Sequence, residues 1–281
     1  MATIAVVAPG AMGSAVAARL TEHGARVLTA LDGRSEASRA RAGAAGMAPA
    51  ADAELAGADL FLSIVPPAEA EALAERFAPA LAAAPRKAVY IDANAVNPDT
   101  KRRVAARIGA TGAAFVDGAI IGPPPKPGAG GPRLHLSGDD LGAALGLRDL
   151  GLDARACAGG IGAASALKMG YAGLNKGLTA LAATMVLAAT RGGALDALRA
   201  ELAESEPALL ARFERGLPDM VPKAGRWVAE MREIAGFLGD DEAGRLIFEG
   251  AERLYARIAA EDGVGDVEAL AAFANGSSQG R

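Results

Sequence analysis

One lysine stands out by its surroundings. Lys168 lies in the stretch Gly159-Gly-Ile-Gly-Ala-Ala-Ser-Ala-Leu-Lys168-Met-Gly-Tyr171, at the start of a long apolar helical pattern. Lys168, Tyr171 and Asn175 follow i, i+3, i+7 spacing, so a helix sets them on one face. An amine, a phenol and an amide on one face of an otherwise apolar helix are costly to bury without a task. Against apolar walls and away from carboxylates, a lysine gives up its proton more readily and can serve in proton transfer. The plain structural alternative is a lysine that bonds a buried carbonyl or extends its ammonium to solvent. Tyr171 and Asn175 read as hydrogen-bonding scaffold or substrate contacts rather than catalysts in their own right.

A second cluster sits at the other end of the chain. The apolar run Thr3–Ala8 leads into Ala8-Pro9-Gly10-Ala11-Met12-Gly13, a dinucleotide fingerprint whose first glycine is alanine. Gly10 lets the backbone approach a pyrophosphate, and Gly13 lets the following helix pack closely on its strand. The amides of Gly10, Ala11, Met12 and Gly13 then face the phosphates at a helix N-terminus. The alternative is a tight turn that binds nothing. The next strand ends at Leu31-Asp32-Gly33-Arg34-Ser35. An acid there suits the ribose hydroxyls of NAD, whereas an Arg just beyond suits the 2′-phosphate of NADP. Both are present. Arg34-Ser35 behind the turn at Gly33 favours NADP over NAD, and a merely solvated loop is the alternative. Val65-Pro66 closes another strand as a rigid wall beside a cofactor, or as a plain terminator. Asn94, in Asp92-Ala-Asn-Ala-Val-Asn-Pro98, can bond a nicotinamide ribose or a substrate carbonyl, or simply form a turn ahead of Pro98.

The elements that must position these residues follow from periodicity. Strands are expected at Thr3–Ala8, Arg26–Leu31, Leu60–Val65, Ala88–Asp92, Ala114–Asp117, Leu134–Ser137 and Asp153–Cys157, with helices between them such as Gly13–His23 and Glu69–Ala83. The early strands are near-continuously apolar, as strands buried on both faces are. This predicts an α/β Rossmann domain over 1–161, with a doubly wound, mostly parallel sheet. From Gly162 on no strand pattern remains, which predicts an all-helical domain over 162–281. Ala163–Arg191 reads as one helix ended by Gly192-Gly193. Ser205 is expected to cap a helix begun by Pro207, and Pro218 and Pro222 to break the chain. Trp227, Met231, Ile234 and Leu238 share a helix face, Asp240 opens a further helix and Asp266 caps the last. Residues 275–281 are expected to form a disordered polar tail. The loop Pro123–Pro132 reads as a surface loop or lid.

Composition narrows the function classes. The net charge is −4 and the aromatic content 4%, which argues against a nucleic-acid-coating surface. Cys157 is the single cysteine, so no disulfide closes within the chain, in keeping with a reducing cytoplasm. The N-terminus lacks a basic leader pattern, and the apolar stretch Gly177–Thr190 is short for a bilayer span and carries threonines. A cytoplasmic protein without membrane partners is expected. The histidines, His23 and His135, have no metal partner at useful spacing, so no metal site is expected. No nucleophile-elbow pattern supports a hydrolase.

These residues resemble the β-hydroxyacid dehydrogenases, including 3-hydroxyisobutyrate and 6-phosphogluconate dehydrogenases, in a branch with a distinct helical C-terminal domain. The resemblance runs through Gly10-Ala-Met-Gly13, Asp92-Ala-Asn-Ala-Val-Asn-Pro98, Asp117-Gly-Ala-Ile-Ile-Gly122, Gly162-Ala-Ala-Ser-Ala-Leu-Lys168 and Lys223–Met231. It implies an NADP-dependent dehydrogenase or reductase with Lys168 as general acid/base, Asn94 at cofactor or substrate, and a homodimer formed through the helical domain. It also implies a substrate contact at Ile121-Gly122, where the family has Ser-Gly-Gly. The family's Asp-x-Ser-Thr reads Asp92-Ala-Asn94-Ala95 here, and the Asn three residues after the lysine reads Tyr171. These departures imply the same hydride chemistry on a different, less carboxylate-like substrate. Two alternatives stand beside it. An imine reductase or reductive aminase shares the architecture but usually places Asp or Tyr at the Lys168 position, so Tyr171 would be the donor. A non-catalytic NADP-sensing protein would keep the cofactor turn and lose the substrate contacts.

Overall fold

A computed structural model describes residues 1–126, 128, 130–260 and 264–276. The chain divides into two compact units, Met1–Met169 and Gly170–Arg281. The division therefore falls inside the long helix rather than at its start.

The first unit is built on an eight-stranded sheet. Its strands are β1 (Thr3–Val7), β2 (Arg26–Thr29), β3 (Ala48–Pro49), β4 (Leu60–Ser63), β5 (Val89–Asp92), β6 (Phe115–Ile121), β7 (Arg133–Ser137) and β8 (Asp153–Ala156). Their spatial order is β3-β2-β1-β4-β5-β6-β7-β8, and every pair is parallel except β6–β7. Parallel pairing follows from the helical crossovers α1 (Ala11–Glu22), α2 (Glu36–Ala44), α3 (Asp52–Ala56), α4 (Ala70–Ala83) and α5 (Pro98–Gly109). The short α6 (Gly142–Leu145) lies between β7 and β8.

Both faces of the sheet are buried. Ile4 and Val6 of β1 pack with Leu60 and Leu62 of β4 in one apolar cluster, and Ala5 and Val7 pack with Phe61 and Tyr90 in the other. Continuous apolar runs are what such strands require. The strand limits lie within one or two residues of those expected, with two larger differences. β6 continues past Asp117 to Ile121, because Gly118–Ile121 pair antiparallel with Arg133–Leu136 of β7 beyond the last β5 partner. The two-residue β3 carries too little pattern to be read from sequence.

α7 (Ala163–Arg191) has the limits its periodicity predicts. It is long and apolar enough to cross a bilayer by length and composition alone, but its first turn is capped by strand residues of the sheet, as set out below. The second unit continues with α8 (Leu195–Ser205), α9 (Pro207–Met220), α10 (Ala224–Phe237), α11 (Glu242–Ala259) and α12 (Val264–Asn275). Met231, Ile234, Tyr255 and Phe273 are among its buried side chains. Among the described residues no strand follows Ala156.

Several helix ends correct the sequence reading. Ser205 is the last residue of α8 and turns its hydroxyl back to the Glu201 carbonyl, so Glu206 takes the N-cap of α9. Pro218 lies inside α9, which runs on to Met220, and Pro222 falls in a 3-10 turn before α10. Asp241, the second residue of the expected Asp240-Asp-Glu242 opening, caps α11 by accepting from the Gly244 amide. Asp266 stands in the first turn of α12 rather than at its cap. Of the expected polar tail, Asn275 closes α12, and residues 277–281 lie outside the described residues.

Candidate functional site at the carboxyl edge of the sheet

The glycine turn joins β1 to α1. Gly10 is the N-cap of α1, in extended conformation (φ −73°), and no side chain caps the helix. No acidic residue stands in its first turn. A Cβ at Gly10 would meet nothing within 4 Å, so the space before the helix amides is open. Gly13 is the opposite case. A Cβ there would overlap the Ala8 carbonyl oxygen and stand 3.2 Å from its carbonyl carbon. The turn thus has both properties that pyrophosphate binding needs: free amides facing open space, and a helix seated tightly on its strand. The Gly10 amide is not among them, because it donates to the Ala8 carbonyl at 2.9 Å; Ala11 and Met12 carry them.

A basic cluster surrounds the end of β2. The Arg34 amide bonds the Leu31 carbonyl, closing a turn through Asp32 and Gly33, whose φ is +70°. Ser35 caps α2 by accepting from the Ser38 amide at 3.3 Å. Arg39 Nε bonds the Arg34 carbonyl. Arg41, which the sequence reading passed over, donates from Nε to the Pro9 carbonyl at 3.1 Å and from Nη2 to Ser38 Oγ at 2.9 Å. It ties the phosphate turn to α2. Spacing from Arg34 along a helix was the available signal.

The next strand ends are braced by Asn94. Its Oδ1 accepts from the Val65 amide and its Nδ2 donates to Ser63 Oγ, each at 2.7 Å, while its own amide bonds Asp92 Oδ1. Asn94 is buried, so its role here is to join the ends of β4 and β5. Val65 is buried behind it and Pro66 is exposed. Asn97 caps α5, accepting from the amides of Asp99 and Thr100.

Lys168 belongs to the same unit and comes to the same edge. Its half-buried amine donates to the Ile120 carbonyl at 2.6 Å, near the end of β6. Bonding a carbonyl is what the plain structural alternative expects, yet this carbonyl adjoins Ile121 and Gly122, the segment expected to meet substrate. Ile121 is buried and Gly122 is exposed, with φ +130° and a Cβ position only 3.1 Å from Pro132 Cα. Parallel pairing of β1, β4, β5 and β6 puts their C-terminal ends on one edge. Across the sheet, β1 and β6 are three strand spacings apart, about 14 Å.

What holds α7 in place is a set of buried groups absent from the sequence reading. Asp117 Oδ2 accepts from the amides of Gly162 (2.9 Å) and Ser165 (3.1 Å) and from Ser137 Oγ (3.1 Å), and Oδ1 accepts from Ser165 Oγ (2.7 Å). Ser137 Oγ in turn accepts from the Ala164 amide. The start of α7 is thus capped by β6 and β7. Behind Asp117 lies Lys101 of α5, fully buried, with its amine 2.8 Å from Asp92 Oδ1 and 3.6 Å from Asp117 Oδ1. It also donates to the carbonyls of Asp92, Asn94 and Gly118. A signal existed: Lys101 shares helical spacing with Val104, Ala105 and Ile108, so a lysine stands on the buried face of an amphipathic helix. Nearby Cys157 has its thiol pushed up by burial and by the Asp117 carboxylate.

Tyr171 and Asn175 belong to the second unit. Tyr171 is exposed, and the Asn175 amide donates to the Tyr171 carbonyl and accepts from Arg212 Nη2 at 2.9 Å. Asn175 and Arg212 line a cleft of about 290 Å³ with Lys176, Thr179 and Trp227. The loop between β6 and β7 is tied to α1 where Arg19 Nη2 bonds the Lys126 carbonyl, and Pro127 and Ala129 of that loop lie outside the described residues. Among the described residues no cluster of His, Cys, Asp and Glu is placed to hold a metal.

Residues 3–139 match the NAD binding domain of 6-phosphogluconate dehydrogenase, and residues 189–258 match a domain of unknown function, DUF1932. No curated protein matches the chain. Among solved structures, a conserved hypothetical protein from Sinorhizobium meliloti 1021 is 28% identical, with 97% of each chain covered and a TM-score of 0.76. The Mycobacterium tuberculosis 3-hydroxyisobutyrate dehydrogenase, solved with L-serine, is 17% identical over 99% of this chain and 100% of that one, with a TM-score of 0.67. An imine reductase from Myxococcus stipitatus, solved with NADP+, is 20% identical over 94% and 95%, with a TM-score of 0.53. The latter two likenesses are of fold.

Proposed function

Because residues 3–139 match the NAD binding domain of 6-phosphogluconate dehydrogenase and residues 189–258 match DUF1932, we propose that the chain is an NADP(H)-dependent oxidoreductase of the β-hydroxyacid dehydrogenase type, acting on a small carbonyl or hydroxy-acid-type substrate, with Lys168 as general acid/base. The observation that carries this reading is the Lys168 amine at the Ile120 carbonyl, on the sheet edge that also bears the glycine turn.

The cofactor is implied by the family, and the residues present fit it. Open space before Gly10 and the close seat of Gly13 suit a pyrophosphate. Arg34, Ser35 and Arg41 would hold a 2′-phosphate, and Val65, Pro66 and the Asn94-braced strand ends would wall the nicotinamide side. When bound, the nicotinamide supplies or accepts the hydride. The chain's own part is proton management. Lys168 would hold a proton at Nζ and pass it to the substrate oxygen as negative charge develops there, or take it from the hydroxyl in the reverse direction. The Ile120 carbonyl orients the amine. Ile121 and Gly122 are the proposed substrate contacts beside the Lys168 amine.

A homodimer is part of the proposal. Leu174, Leu181 and Met185 of α7 and Leu246 and Ile247 of α11 are large apolar side chains left exposed in the helical unit. A second copy of that unit is the occupant of this face that the family resemblance implies. A single cysteine suits the reducing cytoplasm we propose as its location.

The test is a titration of NADPH against NADH, followed by a panel of hydroxy acids, carbonyls and cyclic imines read by nicotinamide absorbance. The proposal expects tighter NADPH binding and turnover of a hydroxy acid or carbonyl that Lys168→Met abolishes. Full turnover in Lys168→Met removes the assigned role. Preference for cyclic imines would favour the imine-reductase reading, for which the exposed Tyr171 phenol is the available donor. Tight NADPH binding with no oxidation by the panel would favour a sensor.

A further inference from the structure

We propose that Asp117, backed by the buried Lys101–Asp92 pair, is a positioning residue that fixes the Lys168 amine at the Ile120 carbonyl by anchoring the first turn of α7. The charges are an unusual group to bury. Two carboxylates and one ammonium, each fully buried, meet between the ends of β5 and β6 and the side of α5. Such charges are tolerated in the interior when paired and hydrogen-bonded, as the atoms of this cluster other than Asp92 Oδ2 are. The Lys101 amine has Asp92 Oδ1 and the Asp92 carbonyl within 2.8 Å, so its charge is neutralised locally. Asp117 is the carboxylate left over, and its counter-charge is the N-terminus of α7. Gly162, Ser165 and the Ser165 hydroxyl all donate to it, and Ala164 donates to Ser137, which itself donates to Asp117.

This arrangement has a directional consequence. Asp117 and Ile120 lie on the same strand, and Ser165 and Lys168 on the same helix turn. One end of that turn is pinned to Asp117 and the other to Ile120. The carboxylate therefore sets the helix register from which Lys168 reaches the strand end. Gly162 makes the approach possible: its φ is +105°, and a Cβ would meet Pro98 and Arg102 at 3.3 Å.

The inference rests on Lys168 as the proton-transfer group, but its test does not need turnover. Asp117→Asn is the variant of choice, because it leaves Lys101 and Asp92 as a balanced pair and keeps the side-chain size. The amide oxygen can keep the Gly162 and Ser165 amides, but the NH2 then faces Ser165 Oγ and the Lys101 amine and the carboxylate charge is gone, so the anchor is weakened. Ser165→Ala, which removes one bond and no charge, is the milder second variant. The measurement is competitive acylation of the native protein under limiting reagent, with the Lys168 rate read by peptide mass spectrometry relative to exposed Lys126, across pH, alongside NADPH affinity. The expected result is a rise of about fivefold in relative Lys168 labelling in Asp117→Asn, the equivalent of one lost hydrogen bond. A smaller rise is expected in Ser165→Ala, with the pH midpoint of Lys168 labelling displaced in Asp117→Asn and NADPH affinity within about twofold of wild type. A merely structural Asp117 would lower the melting temperature and leave the Lys168-to-Lys126 ratio and its pH midpoint unchanged, which overturns the proposal. If labelling responds but Lys168→Met keeps full turnover, the anchor stands and the catalytic reading falls.

Discussion

The two glycines of the cofactor turn should fail in opposite ways when each is given a methyl group. At Gly10 the added Cβ meets nothing within 4 Å, and the φ of −73° is one that alanine adopts freely. The lost N-cap preference, about 0.5 kcal/mol, is offset by a stiffer unfolded chain, so Gly10→Ala should hold its stability within about 0.5 kcal/mol. The methyl nevertheless stands in the open space before the α1 amides. A pyrophosphate bound there must retreat, and NADPH affinity should fall at least about tenfold, or about 1.4 kcal/mol. At Gly13 the Cβ overlaps the Ala8 carbonyl oxygen, which also accepts from the Gly10 amide. Helix α1 must move off β1, at a cost of about 1–3 kcal/mol beyond the gain in helix propensity. In a unit running from Met1 to Met169, at about 2–4 °C per kcal/mol, that is a fall of roughly 2–12 °C in melting temperature. Thermal unfolding of the ligand-free proteins and fluorescence titration with NADPH read the two effects separately. Wild-type NADPH affinity in Gly10→Ala would refute the placement of the pyrophosphate, and a wild-type melting temperature in Gly13→Ala would refute the packing argument.

Other expectations follow from the same geometry. Arg34→Ala and Arg41→Ala should each weaken NADPH about tenfold while changing NADH less than about threefold in parallel titrations, since a charge-assisted phosphate contact is lost only with NADPH. Equal losses for both nucleotides would place these arginines elsewhere. Cys157 reacts only as thiolate, and burial with the Asp117 carboxylate raises its pKa above the ordinary 9.0. Its alkylation rate should therefore rise at higher pH than that of a free thiol, and Asp117→Asn should move the midpoint down; an ordinary midpoint in wild type would contradict this. Leu174→Asp with Leu181→Asp should convert the proposed dimer to monomer in light-scattering chromatography, with helix content unchanged by circular dichroism. A monomeric wild type would remove the dimer from the account.

The sequence made short-range features legible. The glycine turn, the full extent of α7 and the end of β5 at Asp92 each depend on residues a few positions apart, where periodicity and backbone sterics decide. Long-range pairing was hidden. Asp92, Lys101 and Asp117 look like three separate strand-end and helix charges, and only the fold brings them together. Asn94 read as a ligand contact because its burial and its bonds to Ser63 and Val65 come from a neighbouring strand. β6 was read short for a similar reason: its extension from Gly118 to Ile121 is held by pairing with β7. Pro218 misled because tertiary packing carries α9 past it. Leu217 and Met220, on either side, are fully buried.

The most direct test of the account is a crystal structure with NADPH bound. It should show the Lys168 amine turned toward C4 of the nicotinamide, with room between them for a single substrate carbonyl and the Asp117 anchor of α7 intact. An amine directed away from the ring, or committed to an ion pair remote from it, would contradict the proton-transfer role on which the proposed chemistry depends.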